Sequence, residues 1–175
     1  MPPVFHDRFV ELYNAHFPRV QRFLDRLSGD PMLAADIAQD AFVRLYRRGA
    51  PPDQPAAWLI TVALNLLRNR RSTDARRRRL LSDTRVEETL GDPPGGAADH
   101  AIESAETSGR VRAVLARLPE REQQLLLLRA EGYRYQELAA ALGLNATSVG
   151  VLLARAKRAF RVAYEESGGR AADAS

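Results

Sequence analysis

Apolar residues recur every three or four positions along most of this chain, which is the period of an α-helix rather than of a β-strand. The first such stripe is formed by Phe9, Tyr13 and Phe17. Pro18 suits the first turn of a following helix, where its missing N–H loses no partner, so we expect a helix boundary there. The sequence contains no alternating strand period, internal repeat or heptad run. The pattern therefore predicts an all-α fold.

Glycine and proline divide the rest of the pattern. Residues 28–31 read Ser-Gly-Asp-Pro, in which the glycine ends one helix, the aspartate caps the next and the proline fits its first turn. That helix is expected to run to about Arg48. Residues 49–52, Gly-Ala-Pro-Pro, cannot continue it and predict a loop. The next apolar stripe begins at Trp58, which we expect in the core, and runs into the arginine cluster at 68–79.

The second half of the chain is separated from the first by a segment with the composition of a linker. Residues 82–100 contain three glycines and two prolines without an apolar period. We therefore predict two small helical domains, at residues 1–80 and 109–165, joined by a flexible linker at 81–108. The remaining residues, 166–175, are expected to form a disordered tail.

Residues 135–154, YQELAAALGLNATSVGVLLA, predict a helix-turn-helix. Gly143 stands where the turn requires a positive φ, which glycine adopts at little cost. Asn145 is a candidate N-cap for the second helix, and Val149 and Leu153 would bury its inner face. A pair of helices arranged in this way places the second one in the major groove of DNA. Two core helices joined by a glycine turn are the alternative interpretation.

The formal net charge of +4 conceals an uneven distribution. Residues 68–79 carry seven arginines against one aspartate, and residues 146–161 carry four basic side chains and no acid. Between them, residues 80–109 carry seven acids against one arginine, a net charge of −6. Basic patches suit contacts with phosphates, which release counterions. A solvated surface is the alternative for either patch alone.

Composition excludes several classes of protein. The chain has no cysteine, which rules out a disulfide scaffold, a thiolate zinc site and a cysteine nucleophile. No apolar run approaches the length of a membrane span, and the first residues are too polar for a signal peptide, so we expect a soluble cytoplasmic protein without membrane insertion. A nuclease would need clustered carboxylates or histidines. The sequence offers only Asp36 and Asp40, so we expect no enzyme, no metal and no cofactor.

Asp36, Gln39, Asp40 and Val43 share one face of a predicted helix, at spacings of i, i+3, i+4 and i+7. The two carboxylates repel each other slightly, so this spacing does not serve helix stability. A basic or amide-rich partner helix would explain it. A plain solvated face and a carboxylate metal pair are the alternatives. The metal pair is disfavoured because no histidine lies nearby in the sequence.

The order of these segments resembles that of the extracytoplasmic-function group of bacterial sigma factors, the promoter-recognition subunits of RNA polymerase. DIAQDAFVRLYRR at 36–48 is similar to the segment of the family that binds core polymerase. AAWLITVALNLLRNRRS at 56–72 resembles the segment that melts and holds the −10 element. Residues 115–160, from LARLPERE to RAKRAF, are similar to the −35-binding domain. The resemblance covers about residues 5–80 and 108–162.

The resemblance implies a sigma factor that binds core polymerase and promoter DNA, performs no chemistry itself and needs no cofactor. Residues 1–80 would be sigma region 2 and residues 109–165 sigma region 4. Asp36, Gln39 and Asp40, with Arg44 in support, would dock on a coiled coil of the largest polymerase subunits. The −10 element would be held by residues of the next helix, namely Asn65, Arg68, Asn69, Arg71 and Arg76. Such factors are often held inactive by an anti-sigma protein.

The second helix of the helix-turn-helix departs from the family pattern. Gly150, Val151 and Leu152 stand where the family has a basic residue, a serine and an arginine. We therefore expect −35 binding to rely on phosphates, on contact of Val151 with a thymine methyl and on DNA shape. The candidate residues are Asn145, Thr147, Ser148, Val151, Arg155 and Arg158.

The alternative to a sigma factor is an autonomous helix-turn-helix regulator that binds operator DNA as a dimer. The sequence shows neither a heptad nor an obvious effector-binding segment to support it.

Overall fold

The computed structural model describes residues 3–82 and 99–172, with their side chains over 5–80 and 107–168. These residues form seven α-helices and one 3₁₀ turn, and no strand occurs among them. The all-α prediction is confirmed. In chain order the helices are α1 (Pro3–Ser28), α2 (Pro31–Arg48), α3 (Pro55–Ser82), α4 (Asp99–Ala116), α5 (Glu120–Ala130), α6 (Tyr135–Leu142) and α7 (Val149–Ala172).

The predicted helix boundary at Pro18 is wrong, because α1 continues through this proline. A proline inside a helix removes one hydrogen bond and costs about 3 kcal/mol. The two halves of α1 nevertheless share one partner. Tyr13 stacks on Phe17 with 4.6 Å between ring centroids, and both rings pack against the edge of Phe42 in α2. Beyond the proline, Phe23 is fully buried in the same core. Burial on both sides of Pro18 outweighs its local cost.

The boundaries of α2 agree with the prediction. The Asp30 side chain accepts a hydrogen bond from the Leu33 N–H at 3.0 Å and caps the helix. Arg48 is the last residue of α2. One face of the helix is buried against α1 and α3 and consists of Ala34, Ile37, Ala38, Ala41, Phe42 and Leu45. The opposite face is left in solvent.

Trp58 lies in the first turn of α3, where the sequence predicted a core residue. Its side chain is half-buried against the core, and the Arg48 guanidinium lies 5.9 Å from the centre of its ring. The arginine cluster continues the same helix, and its side chains are exposed. The cluster is therefore a rigid extension of the helix that begins in the core.

The helix-turn-helix is built as the sequence indicates. Gly143 ends α6 with a φ of 62°, in the left-handed region that glycine adopts freely. The Asn145 side chain accepts a hydrogen bond from the Thr147 N–H at 3.1 Å. It caps a 3₁₀ turn at Ala146–Ser148 rather than α7 itself. The inner face of α7 is closed by Val149 and Leu153, both buried.

The last helix is longer than the sequence predicted. α7 continues to Ala172, so residues 166–172 are helical where a disordered tail was expected. Arg110 of α4 holds this end of α7. Its guanidinium donates to the Ser167 hydroxyl at 2.9 Å and to the Tyr164 carbonyl at 2.8 Å, and lies over the Tyr164 ring. A contact between residues more than fifty positions apart leaves no local signal in the sequence.

The two halves of the chain pack against each other. α1 contacts α5, and α3 contacts α6, so the buried apolar side chains form one continuous cluster. The Thr61 hydroxyl of α3 shares its proton between the Ala57 carbonyl of its own helix at 2.9 Å and the Ala141 carbonyl of α6 at 3.3 Å. The predicted linker at 81–108 overlaps the end of α3 and the start of α4, and residues 83–98 lie outside the described part of the chain.

His16 predicts a pH dependence of this packing. Its Nδ1 is buried without a hydrogen-bond partner among the described residues. Burial lowers the pKa of His16 below 6.5, the nearby Arg19 lowers it further, and Glu137 opposes both. As the pH falls, the unfolded chain therefore binds this proton before the folded chain does. The stability due to neutral His16 is full above about pH 6.5 and is lost as the pH falls through the lower folded value.

We therefore expect the free energy of unfolding, measured by urea titration, to fall as the pH is lowered below about 6.5, the ordinary pKa of histidine. His16→Gln should remove that part of the decrease. His6→Gln is the matched control, because His6 is exposed on the same helix. Identical pH profiles for wild type and His16→Gln would contradict the assignment.

Candidate functional site

The exposed face of α2 carries carboxylates that the fold does not use. Asp36, Gln39 and Asp40 are exposed, as is Arg44 one turn further on. Within the described part of the chain, none of these four side chains has a hydrogen bond or ion pair. The structure thus brings the four residues predicted to bind core polymerase onto one open surface. Carboxylates left unpaired in this way are available to an external partner.

An aromatic groove lies beside these carboxylates, between α1 and α2. Tyr13, Val43 and Tyr46 are exposed there, although they are large and apolar or aromatic. The groove has a volume of about 430 Å³ and is lined by Phe9, Tyr13, Phe17, Gln39, Phe42, Val43, Tyr46 and Arg47. The sequence indicated Phe9, Tyr13 and Phe17 as an apolar stripe of a helix but did not indicate that the stripe borders an open groove. Gln39 belongs to both surfaces, so the carboxylates and the groove form one continuous face.

The −10 candidates occupy one side of α3. Arg68 donates to the Asn65 side-chain oxygen at 3.1 Å, and both are exposed, as are Asn69 and Arg76. Arg71 differs from the others. It donates to the Leu27 carbonyl at the end of α1 at 3.1 Å and lies 3.8 Å from the Glu120 carboxylate. Arg71 therefore has a structural role in this conformation that the sequence did not indicate.

The −35 candidates follow the outer face of the 3₁₀ turn and α7. Asn145 and Thr147 are exposed and Ser148 is half-exposed. The Asn145 side-chain oxygen accepts hydrogen bonds from the N–H and the hydroxyl of Thr147. The side-chain NH₂ of Asn145 is therefore the group that remains available to an external partner. Val151 is 72% exposed, which is unusual for a valine and suits contact with a methyl group outside the chain.

Arg155 and Arg158 complete this face, and both are exposed. Arg155 Nε lies 3.4 Å from a Glu122 carboxylate oxygen, so part of its charge is neutralised within the chain. Arg158 has no such partner among the described residues. Of the two, Arg158 is the freer cation for a phosphate.

Gly150 lies beside the ring of Tyr135. A Cβ at position 150 would lie 3.5 Å from the Tyr135 ring, an ordinary contact distance. Tyr135 is exposed at the start of α6, and the Arg129 guanidinium lies 5.6 Å from the centre of its ring. Tyrosine hydroxyls commonly contact DNA phosphates. Tyr135 is thus a further candidate contact that the sequence analysis missed.

A crevice of about 340 Å³ separates α3 from the second half of the chain. Asn65 and Arg68 line one wall, and Glu120, Arg121 and Gln124 line the other. The −10 candidates therefore face one acidic and one basic side chain of α5, Glu120 and Arg121.

A further feature that the sequence did not indicate is a ridge of three arginines on α1, namely Arg19, Arg22 and Arg26. All three bind Glu131, which follows α5. Their spacing of i, i+3 and i+7 is visible in the sequence. It gave no signal because the seven basic and seven acidic side chains of residues 1–67 cancel to a net charge of zero.

In residues 3–82 and 99–172, no group of three or more His, Cys, Asp or Glu side chains is placed to hold a metal ion. Over the same residues, no single helix is long and apolar enough to cross a membrane. Only α6 and α7 taken together, with a bend of 118° between them, have the length and composition to do so.

Comparison with known families assigns both halves of the chain. The family model of sigma-70 region 2 matches residues 12–78. The family model of sigma-70 region 4 matches residues 108–160. The first match contains the exposed face of α2 and the −10 candidates, and the second contains the helix-turn-helix.

Two relatives agree with this assignment. The RNA polymerase sigma factor CarQ of Myxococcus xanthus is 30% identical over 88% of this chain and 86% of its own length. The ECF RNA polymerase sigma factor SigL of Mycobacterium tuberculosis is 29% identical over 90% of this chain and 89% of its own length.

Two solved structures share the fold with a TM-score of 0.65 each. The sigma factor RpoE of Bartonella quintana, in complex with the anti-sigma factor NepR, covers 90% of this chain and 97% of its own at 18% identity. CnrH, in complex with the cytosolic domain of CnrY, covers 92% of this chain and 90% of its own at 21% identity. Taken with the two family matches and the relatives, these findings show that the chain belongs to the extracytoplasmic-function group of sigma-70-type RNA polymerase sigma factors.

Proposed function

We propose that this sigma factor docks on core RNA polymerase through the exposed face of α2. The observation that supports this assignment is the group of unpaired polar side chains, Asp36, Gln39 and Asp40, beside the aromatic groove. Charges placed at the edge of an apolar patch guide association and fix orientation, while the patch supplies burial. Arg44 supports the same face.

The DNA-binding roles are divided between the two halves. Asn65, Arg68 and Asn69 would hold the melted −10 strand, because asparagine reads base edges and arginine binds phosphates or stacks on bases. Arg76 extends this surface, and Arg71 joins it once it leaves the Leu27 carbonyl. We place region 2 in residues 1–80 and region 4 in 109–165. The chain supplies specificity to the polymerase in the cytoplasm and performs no chemistry itself.

The linker at 81–108 would follow the basic path of single strands and nascent RNA on the polymerase, by virtue of its acidic charge. Replacing its acids by amides is expected to lower the yield of initiation in run-off transcription. Unchanged initiation would rule this role out. Most of these acids lie in residues 83–98, outside the described part of the chain.

Binding at −35 is expected to depend on phosphates more than on base edges. Asn145, Thr147, Ser148, Arg155 and Arg158 supply polar groups near the start of α7 or along it, and Val151 supplies an exposed methyl contact. The basic residue, serine and arginine that the family has at positions 150–152 are absent here. Direct readout of bases is correspondingly reduced.

Arg158→Ala is expected to weaken holoenzyme binding to promoter duplex nearly equally across −35 sequences. It should also reduce the slope of log K against log salt by about 1, as the loss of one phosphate contact does. Arg155→Ala should have a smaller effect because of its pair with Glu122. Arg8→Ala is the matched control, since it removes an exposed arginine of α1. A footprint with strong base-by-base dependence at −35, lost in Arg155→Ala alone, would contradict phosphate-dominated binding.

We also propose that an anti-sigma protein holds this chain inactive. The support is that RpoE of Bartonella quintana, which shares its fold, is in complex with the anti-sigma factor NepR. CnrH, which also shares the fold, is in complex with the cytosolic domain of CnrY. Copurification from the native cell, followed by inhibition of transcription in vitro by the copurified protein, tests this part.

The function as a whole is tested by run-off transcription with core polymerase on a library of promoter fragments, with and without the chain. Initiation at a defined subset of promoters is the expected result, and aligned start sites then give the −10 and −35 elements. If the chain does not bind core polymerase but binds duplex DNA without it, as seen by a gel mobility shift, it acts as an autonomous regulator. The docking assignment then fails.

A further inference from the structure

A groove in the second half of the chain has no role in the proposed function. It lies between α4, α5 and α7 and is bordered by the last turn of α1. Its volume is about 810 Å³, within the range of about 300–1,000 Å³ that is usual for small-molecule sites. None of the side chains proposed to bind polymerase or DNA lines it. We call it the α4–α7 groove.

The floor of the α4–α7 groove is apolar and only partly covered. α4 contributes Val111 and Leu115, which are one turn apart. α7 contributes Phe160 and Tyr164, whose rings stack with 5.8 Å between their centroids. All four side chains are half-buried. The Arg110 guanidinium lies over the Tyr164 ring and donates to its carbonyl, so this wall is already formed in the free chain. Such a floor favours the apolar part of a ligand.

Three cations without partners border this floor. Arg112 of α4 and both Lys157 and Arg161 of α7 are exposed and line the groove. Within the described part of the chain, none of them has a hydrogen bond or ion pair. The lining also contains Arg26, which is paired within the chain, and one acid, Asp25. The excess of unpaired positive charge favours an anion.

The order of residues on the two walls places charge next to apolar surface. Arg112 directly follows Val111 on α4, and Arg161 directly follows Phe160 on α7. An arginine at the edge of an apolar floor can pack its stem on that floor while its guanidinium stays in water. A ligand that fits both features has an apolar body and an acidic end.

We infer that the α4–α7 groove binds a small amphipathic anion. The apolar body of this ligand lies on the floor, and its acidic group lies among the three unpaired cations. Hydrogen bonds between a guanidinium or ammonium group and an acidic group are among the stronger ones in proteins. The site is separate from the surfaces proposed for polymerase and DNA, so the inference does not rest on the proposed function.

The first test titrates the free, full-length chain with laurate below its micelle concentration and follows proton–nitrogen NMR spectra. Laurate joins an acyl chain to one carboxylate. Saturable shifts confined to the amides of α4, α5, α7 and the adjoining end of α1 are the expected result. Dodecyltrimethylammonium, with an alkyl chain of the same length and a cationic head, should bind at least about tenfold more weakly. Equal affinity for the two probes, or shifts centred elsewhere, would overturn the inference.

The second test removes two of the cations. Arg112→Ala/Arg161→Ala is expected to weaken laurate binding by at least about tenfold, because two charged partners of the carboxylate are lost. The fold should lose little, since both side chains are exposed and unpaired. Arg70→Ala/Arg77→Ala is the matched control, because it removes two exposed, unpaired arginines of α3. Equal weakening in both variants would mean that only net charge matters, which contradicts a site in the groove.

The third test fills the groove. Ala130 lines it and is exposed at the end of α5, so Ala130→Trp should block saturable laurate binding. Ala113→Trp adds the same ring at an exposed position of α4 outside the lining and should leave binding unchanged. Circular dichroism verifies the helix content of both variants. The double arginine variant provides an independent readout if Ala130→Trp folds poorly.

The remaining outcomes identify a different occupant. If laurate does not bind and Ala130→Trp instead weakens binding to core polymerase, a protein segment occupies the groove and the inference is overturned. If laurate does not bind and Ala130→Trp abolishes a concentration-dependent dimer, the occupant is a second copy of the chain, with the same consequence. Run-off transcription by the unmodified chain reads the sigma activity separately, and that activity can persist when the groove binds no small anion.

Discussion

Reversing the charge of the two exposed aspartates on α2 is expected to abolish transcription without unfolding the chain. In Asp36→Lys/Asp40→Lys, two lysines repel each other at i, i+4 much as two aspartates do, so the helix changes little in stability. Neither aspartate has a partner among the described residues, so the fold loses no contact. A polymerase surface that accepts carboxylates would instead face two cations. Like charges opposed across an interface cost several kcal/mol. Binding of the variant to core polymerase is therefore expected to weaken by roughly a hundredfold or more.

The measurement is competition for core polymerase against labelled wild-type chain, with run-off transcription in parallel. Asp7→Lys/Glu11→Lys is the matched control, because it makes the same charge change at the same spacing on an exposed part of α1. Its binding to core should stay within a few-fold of wild type, about the range of a remote surface change. Equal losses in the two double variants would mean that net charge matters and that the α2 face is not the docking surface.

The local features of this fold were readable from the sequence because each depends on neighbours within one or two turns. The 3.6-residue period placed Ile37, Ala41 and Leu45 on the buried face of α2 and left Asp36 and Asp40 exposed. The same kind of local rule predicted Asp30 as a cap and the left-handed glycine of the helix-turn-helix. These predictions hold because capping and turn chemistry involve few residues.

The remaining features depend on contacts between distant parts of the chain. Pro18 stays inside α1 because side chains on both sides of it pack into the same core, with Phe17 against Phe42 of α2 before the proline and the fully buried Phe23 after it. Arg71 binds the Leu27 carbonyl, 44 positions away, and Glu131 binds Arg22, 109 positions away. Helix propensity and the period of the apolar positions carry no information about such distant pairs. The same limit explains why the sequence indicated the basic residues of α3 as DNA contacts but not the contact of Arg71 with the end of α1.

Removing the two side chains at the centre of the −10 surface is expected to block open-complex formation. In Asn65→Ala/Arg68→Ala the fold should lose little, because both residues are exposed and bond mainly to each other. Contacts of these types with bases contribute about 1–3 kcal/mol each. Their joint loss should reduce open complexes by at least a factor of ten, about 1.4 kcal/mol. Permanganate footprinting of melted thymines measures this directly, and binding to core should be unchanged.

A template that is already melted around −10 distinguishes capture of the strand from assistance with melting. If Asn65 and Arg68 hold the single strand, the variant stays defective on this template, because the lost contacts are to the strand itself. Full rescue would contradict the assignment. Arg8→Ala/Asn14→Ala, which makes the same chemical changes on exposed positions of α1, is the control.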